Sequence, residues 1–326
     1  MKDIVPVFIF SMPRAGSTLL QRLISAHPQV STVAEPWFLL PMVTSTMPGL
    51  NMSLYGHHTS IEAVYDVVKQ LPNGLKDYDQ AIKNFALSIY GSLSTRETSH
   101  FIDKTPRYYY IIDRLVEIFP DGKFVFLFRN PLEVVTSVSR TWLHGRLRGI
   151  PYFYNDLFRA PGILAEASEK YAERAFSIDY KTLVTDSSST REKLFNYLSL
   201  EPLDKKDAAF VIGKRPPGVM GDRGRFADLN EVKTLSIDSW QSFAEESSTK
   251  RGFLQDYLLS VSDLYLGKCN LRREALLERI GRIRPKSFGF LDRFDLVINK
   301  LNANLNGYVL RTGLTEKSLS YLPYYN

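Results

Sequence analysis

The chain has 326 residues, of which 44% are hydrophobic, 13% aromatic and 23% charged, with a formal net charge of +6. That length suits one large α/β domain or one domain with an appendage, and the composition is ordinary for a soluble globular protein. Its one cysteine, Cys269, excludes an internal disulfide framework and a cysteine-based zinc site. The positive balance favours anionic ligands, and no homeodomain, zinc-finger or RRM pattern points to nucleic acid. The opening MKDIVPVFIFSMPR carries too short an apolar run for a signal peptide or a membrane span, so a cytoplasmic location is the default expectation.

In chain order, VPVFIF (5–10) reads as a buried strand and STLLQRLISA (17–26) as a helix stopped by His27-Pro28. VSTV (30–33) suits a short strand, and 38–98 reads as a helical insertion. Thr59 with Glu62 gives a capping-box start for one of its helices, and YDQAIKNFALSIYGSL gives another. HFID (100–103) reads as a strand and RYYYIIDRLVEIF as a helix. KFVFLF (123–128) is the clearest buried strand. PLEVVTSVSRTWL is a helix with Pro131 in its first turn. FSIDY (176–180) is a strand, TDSSST (185–190) a surface loop, and STREKLFNYLSL a helix opened by Ser189 with Glu192.

Strands alternating with helices predict a parallel α/β sheet whose ligands sit at the strand carboxyl ends. The expected organisation is an α/β domain over 1–268 and a helical appendage over 269–326. In that appendage LRREALLERIGRIRPK is basic and helical in its spacing, GFLDRFDLVINKLNANL suits a second amphipathic helix, and the end is rich in tyrosine. A peripheral membrane contact through 271–286 is one reading of the basic helix; a solvated basic face is the other.

Two strand ends carry the chemistry. FIFSMPRAGSTLLQRL has the layout of a phosphate loop: strand, turn, helix N-terminus with unpaired amides. Gly16 permits close approach of an oxyanion, Ser17 and Thr18 add hydroxyls, and Arg14 adds a bidentate cation. There is no lysine before Ser17, unlike the triphosphate loop, and KFVFLF ends in Arg129 rather than a Mg²⁺-holding aspartate, so no metal is expected. In LFRNPLEVVTSVSR, Arg129 and Ser137 lie eight residues apart and suit a second, separate phosphate. Each motif alone also fits a plain structural role.

Together, PRAGSTLL and RNPLEVVTS resemble the sulfotransferase family, which uses 3′-phosphoadenosine 5′-phosphosulfate (PAPS). The resemblance covers about 1–240 and is strongest at short motifs. It implies a P-loop-like three-layer α/β/α fold. It assigns Arg14, Ala15, Gly16, Ser17, Thr18 and Leu19 to the 5′ end of the nucleotide, and Arg129 and Ser137 to its 3′-phosphate. PRAGSTLLQRLISAHPQVSTVAEP is similar to the tyrosylprotein sulfotransferases, which makes Glu35 the counterpart of the catalytic base. DKTP (103–106) resembles a segment whose lysine, here Lys104, lies near the transferred group. IDYKTLV resembles a nucleotide-contacting segment in which Tyr180 carries over and Lys181 departs from the pattern. PPGVMGDRGRF (216–226) has the character of the family's late Gly-rich loop, with no roles assigned.

These residue types fit sulfuryl transfer to an acceptor hydroxyl. Glu35 is the expected base, and Arg14 and Lys104 the electrostatic stabilisers. None of His27, His57, His58, His100 or His144 forms a metal-ligand pattern. The expected acceptor is a glycan or glycolipid. A tyrosine peptide or small phenol, a Mg²⁺-dependent kinase or NTPase, and a non-catalytic anion-binding protein stay open as alternatives.

Overall fold

The computed structural model describes residues 3–47, 57–201, 216–218 and 237–311, apart from the side chains of 57, 58, 187 and 302–311. Among the described residues, five strands form one parallel sheet: β1 (Val5–Ser11), β2 (Val30–Thr32), β3 (His100–Asp103), β4 (Lys123–Phe128) and β5 (Ala175–Asp179). Their spatial order is β2-β3-β1-β4-β5, and Val7 of β1 sits opposite both Ile102 and Lys123. Strands covered on both faces must be apolar throughout rather than alternating. Accordingly Val7, Phe8, Ile9 and Phe10 are buried, as is Phe124 to Phe128. Stacked phenylalanine rings tie the two central strands together: Phe8 and Phe10 each lie parallel to Phe124, with centroids 5.9 and 6.2 Å away.

The helices are α1 (Ser17–Ile24), α2 (Leu39–Thr44), α3 (His57–Gln70), α4 (Leu75–Ser92), α5 (Ile112–Ile118), α6 (Pro131–Trp142), α7 (Ala160–Lys170), α8 (Tyr180–Thr185), α9 (Ser187–Leu198), α10 (Trp240–Glu246), α11 (Ser248–Ser260), α12 (Asp263–Lys268), α13 (Arg273–Arg282) and α14 (Phe290–Arg311). The sheet with its flanking helices is the α/β class expected from the alternation of elements.

Four local expectations fail. Thr59 does not open a helix, because α3 already starts at His57. Ser189 does not open one either: α9 starts at Ser187 with Asp186 at the capping position, and the Thr190 amide already bonds back to the Asp186 carbonyl. The TDSSST stretch is therefore mostly the first turn of a helix and not a loop. The helix expected from Arg107 begins as a 3₁₀ turn, Tyr108–Ile111, before α5. Burial of Tyr108 and Tyr109 fixes that tighter turn.

The chain divides into two compact units. The first, Met1–Ser11, Ala15–Phe128 and Glu166–Lys233, holds the sheet with α1 to α5, α8 and α9. The second, Met12–Arg14, Arg129–Ala165 and Thr234–Asn326, holds α6 and α10 to α14. Its core includes the buried Trp240, Phe243, Tyr257 and Tyr265. Among the described residues no helix is long and apolar enough to cross a membrane.

Candidate active site

In the first unit, α1 begins directly after Gly16, whose φ of 98° lies in the left-handed region. A Cβ at Gly16 would also lie 2.5 Å from the Tyr180 ring. Both backbone and space therefore demand glycine. No side chain caps α1, and its first turn holds no acidic residue. Its amides and positive dipole end stay available for an anion. Ala15 and Ser17 are buried at this turn, Thr18 and Leu19 half-buried. Tyr180 is the first residue of α8, a helix capped by the Asp179 carboxylate accepting from the Thr182 amide.

Glu35 lies three residues past β2, and Lys104 directly follows β3. The two adjacent strands bring them together: Lys104 Nζ donates to Glu35 Oε1 at 2.7 Å. Lys104 is almost wholly buried and Glu35 about 10% exposed. The Trp37 indole donates to the other carboxylate oxygen at 3.2 Å. The Thr18 hydroxyl accepts from Lys104 at 3.5 Å, linking the pair to α1. Trp37 is held at a left-handed φ of 62° while its amide donates to Thr105 Oγ1 at 3.2 Å. Non-glycine residues in that region carry strain of order 1–3 kcal/mol and collect at functional sites.

Behind Lys104, Asp103 is completely buried. Its Oδ2 accepts from the hydroxyls of Tyr90 on α4 and Tyr108, at 2.6 and 2.9 Å. Burial raises this carboxyl from 3.8 to about 6, against the hydrogen bonds that lower it. The same burial, with the Asp103 charge, raises both tyrosines well above the ordinary phenol value. Of the 216–226 stretch, only 216–218 is described: the Pro217 carbonyl accepts from the amide of Ala34, the neighbour of Glu35.

In the second unit, Arg129 at the start of this unit's segment donates through Nε to Glu133 Oε2 at 2.8 Å, and both are nearly buried. Glu133 Oε1 accepts from the Asp238 amide at 2.9 Å, and Arg129 Nη1 donates to the Arg14 carbonyl at 3.1 Å. The Tyr265 hydroxyl donates to the Arg129 carbonyl at 3.1 Å. Arg14, itself at a left-handed φ of 64°, donates from Nε to Ser137 Oγ at 3.2 Å. Its guanidinium lies 5.7 Å from the Trp142 ring centroid. Asn130 caps α6 by accepting from the Leu132 amide, with Pro131 at the first position.

The fold thus brings Gly16, Ser17, Thr18, Glu35, Lys104 and Tyr180 into the first unit, and Arg14, Arg129 and Ser137 into the second. Sequence reasoning did not single out Glu133, although its place four residues beyond Arg129 is the spacing of an intrahelical ion pair. It also missed the tyrosine pair on Asp103. Burial lowers the pKa of His27, which contacts the Glu201 carbonyl, and of His100. The side chains of His57 and His58 lie outside the described residues.

The sulfotransferase family model matches residues 6–205. The nodulation protein NoeE of Sinorhizobium fredii (strain NBRC 101917 / NGR234) is 28% identical over 157 residues, covering 46% of this chain and 34% of that protein. The sulfotransferase domain of the Synechococcus PCC 7002 olefin synthase is similar at 23% identity and a TM-score of 0.45, covering 74% of this chain and 89% of that one. Mouse sulfotransferase SULT7A1, complexed with PAP, is similar at 13% identity and a TM-score of 0.43, covering 82% and 89%. The chain spans about a third of the length of the curated relatives it matches.

Proposed function

This chain belongs to the sulfotransferase family, and from that premise we propose that it transfers a sulfuryl group from PAPS to an acceptor hydroxyl, with Glu35 as general base. The observation that carries this reading is the buried Lys104–Glu35 pair beside Thr18 of α1. When bound, PAPS supplies an activated sulfuryl group whose leaving group is a phosphate. The residues present suit such a donor: an uncapped helix start behind a glycine whose Cβ position is taken by the Tyr180 ring, and an arginine fixed by a buried glutamate.

Each group then has a role. Arg14 to Leu19 hold the 5′ end of the nucleotide, and Tyr180 packs the turn that shapes it. Arg129 and Ser137 hold the 3′-phosphate. Glu133 orients Arg129. Glu35 keeps free lone pairs beyond those used by Lys104 and Trp37, because each carboxylate oxygen accepts two hydrogen bonds. It can therefore take the acceptor's proton, a contribution of about 10²–10⁴-fold. Lys104 orients the Glu35 carboxylate and supplies positive charge where negative charge develops.

For the acceptor we favour a carbohydrate or glycolipid hydroxyl. Trp142, Tyr152 and Tyr154 are all exposed in the second unit, and aromatic faces of this kind suit sugar rings. The test is transfer from radiolabelled PAPS to a panel of oligosaccharides, glycolipids, a tyrosine peptide and a phenol. The expected result is label on a carbohydrate acceptor that Glu35→Gln abolishes. Label on the peptide or phenol would move the acceptor assignment, and Mg²⁺-dependent ATP turnover would overturn the reading.

A further inference from the structure

Helix α14 is oriented with its polar side inward. Asp295 is wholly buried, pairs with Arg146 at 2.6 Å and accepts from the Leu147 amide at 3.1 Å. Asn299 donates to the Leu147 carbonyl at 2.9 Å. Asp292 is buried, accepting from the Ser247 hydroxyl at 2.6 Å with Lys250 at 3.8 Å. Most of its described apolar residues are left outside, with Leu296 and Ile298 half-buried. Phe290 is 79% exposed, Leu291 66%, Phe294 57%, Val297 49% and Leu301 51%, with Phe288 just before the helix at 48%. At about 100° per residue these helical positions share a stripe roughly 120° wide. A stripe of that width normally faces a core, and contiguous exposed patches of this kind mark interaction surfaces.

The charges around the stripe select its partner. Both carboxylates of the described part of the helix are turned inward and engaged. Arg284, Arg293 and Lys300 are exposed, and no carboxylate of the described residues pairs with them. Arg293 lies over the Phe288 ring at 5.7 Å. A second copy of this face would set these cations against each other with no acid to answer them, which disfavours self-association. By contrast, α13, the other basic helix, has Arg273, Arg279 and Arg282 all paired with carboxylates of this unit.

We propose that residues 288–301 form an interfacial docking face for an anionic lipid surface. The phenylalanines and aliphatics enter the headgroup boundary, and Arg284, Arg293 and Lys300 meet the lipid charge. This face is independent of the nucleotide residues, so the proposal stands or falls apart from the sulfotransferase reading.

The test is co-sedimentation of the full chain with phosphatidylcholine vesicles, with and without phosphatidylserine, at low and high salt. The proposal expects binding only to the anionic vesicles, weakened by salt. Phe290→Gln/Phe294→Gln should abolish it. Arg293→Gln/Lys300→Gln should weaken it about thirtyfold, the effect of two basic side chains at such a surface. All substituted positions are exposed, and thermal melts equal to wild type would show that the fold is kept. No binding to anionic vesicles would overturn the proposal. So would wild-type-like binding by the Phe290/Phe294 variant, or a concentration-dependent dimer that this variant breaks while vesicles bind neither form.

Discussion

Lys104 Nζ lies 2.7 Å from Glu35 Oε1, with the lysine almost fully shielded from water. Removing one partner of a buried pair leaves an uncompensated charge and costs about 3–5 kcal/mol. Lys104→Met should therefore destabilise the protein by that order, and Lys104→Met/Glu35→Gln by clearly less. Urea unfolding of the single and double variants measures this coupling; additive losses would show that the pair is not formed.

The Arg129–Glu133 pair makes a parallel prediction with a binding readout. Glu133→Gln keeps the side-chain shape but removes the charge that aims Arg129. It should weaken binding of adenosine 3′,5′-bisphosphate while Arg129→Ala abolishes it. Equal affinity of wild type and Glu133→Gln, measured by calorimetry, would remove Glu133 from the site.

Gly16 is constrained twice, by φ and by the Tyr180 ring. Gly16→Ala should cost more than about 1 kcal/mol, since alanine at positive φ destabilises beyond the usual glycine effect. Adding Tyr180→Ala should recover the steric part and leave the backbone part. Full recovery in the double variant would mean that the left-handed conformation is not required.

Asp103 gives the pH dependence. Its carboxyl rises from 3.8 to about 6 in the folded protein, so the folded state keeps a proton that the unfolded chain has released. The stability this contributes is complete below 3.8 and is lost as pH rises to about 6, a loss of about 3 kcal/mol at 1.36 kcal/mol per unit. Asp103→Asn retains an acceptor for both tyrosines and cannot titrate. Its unfolding midpoint should vary less than wild type across that interval. Parallel curves for the two proteins would contradict this.

The strands were legible because β1 and β4 are covered on both faces and must be apolar along their whole length. The strand, turn and helix from Val5 to Ile24 were legible because they are local. The helix starts at His57 and Ser187 were not, since the Ser and Thr residues that signal a cap also sit inside these helices. Helices α10 to α12 gave no usable signal. What holds the site's side chains was hidden for a different reason. Tyr90 meets Asp103 across thirteen residues and the Asp238 amide meets Glu133 across 105, and no periodicity encodes such contacts. The outward stripe of α14 read as an ordinary amphipathic helix, because sequence gives the stripe but not the side on which the protein lies.

The central claim is a donor site for a nucleotide with separate 5′ and 3′ phosphates. It is tested most directly by isothermal titration of the full chain with adenosine 3′,5′-bisphosphate in the absence of Mg²⁺, wild type against Arg129→Ala. Tight metal-free binding that is lost in the variant is the predicted result. No binding, or binding of ATP only once Mg²⁺ is added, would contradict the account.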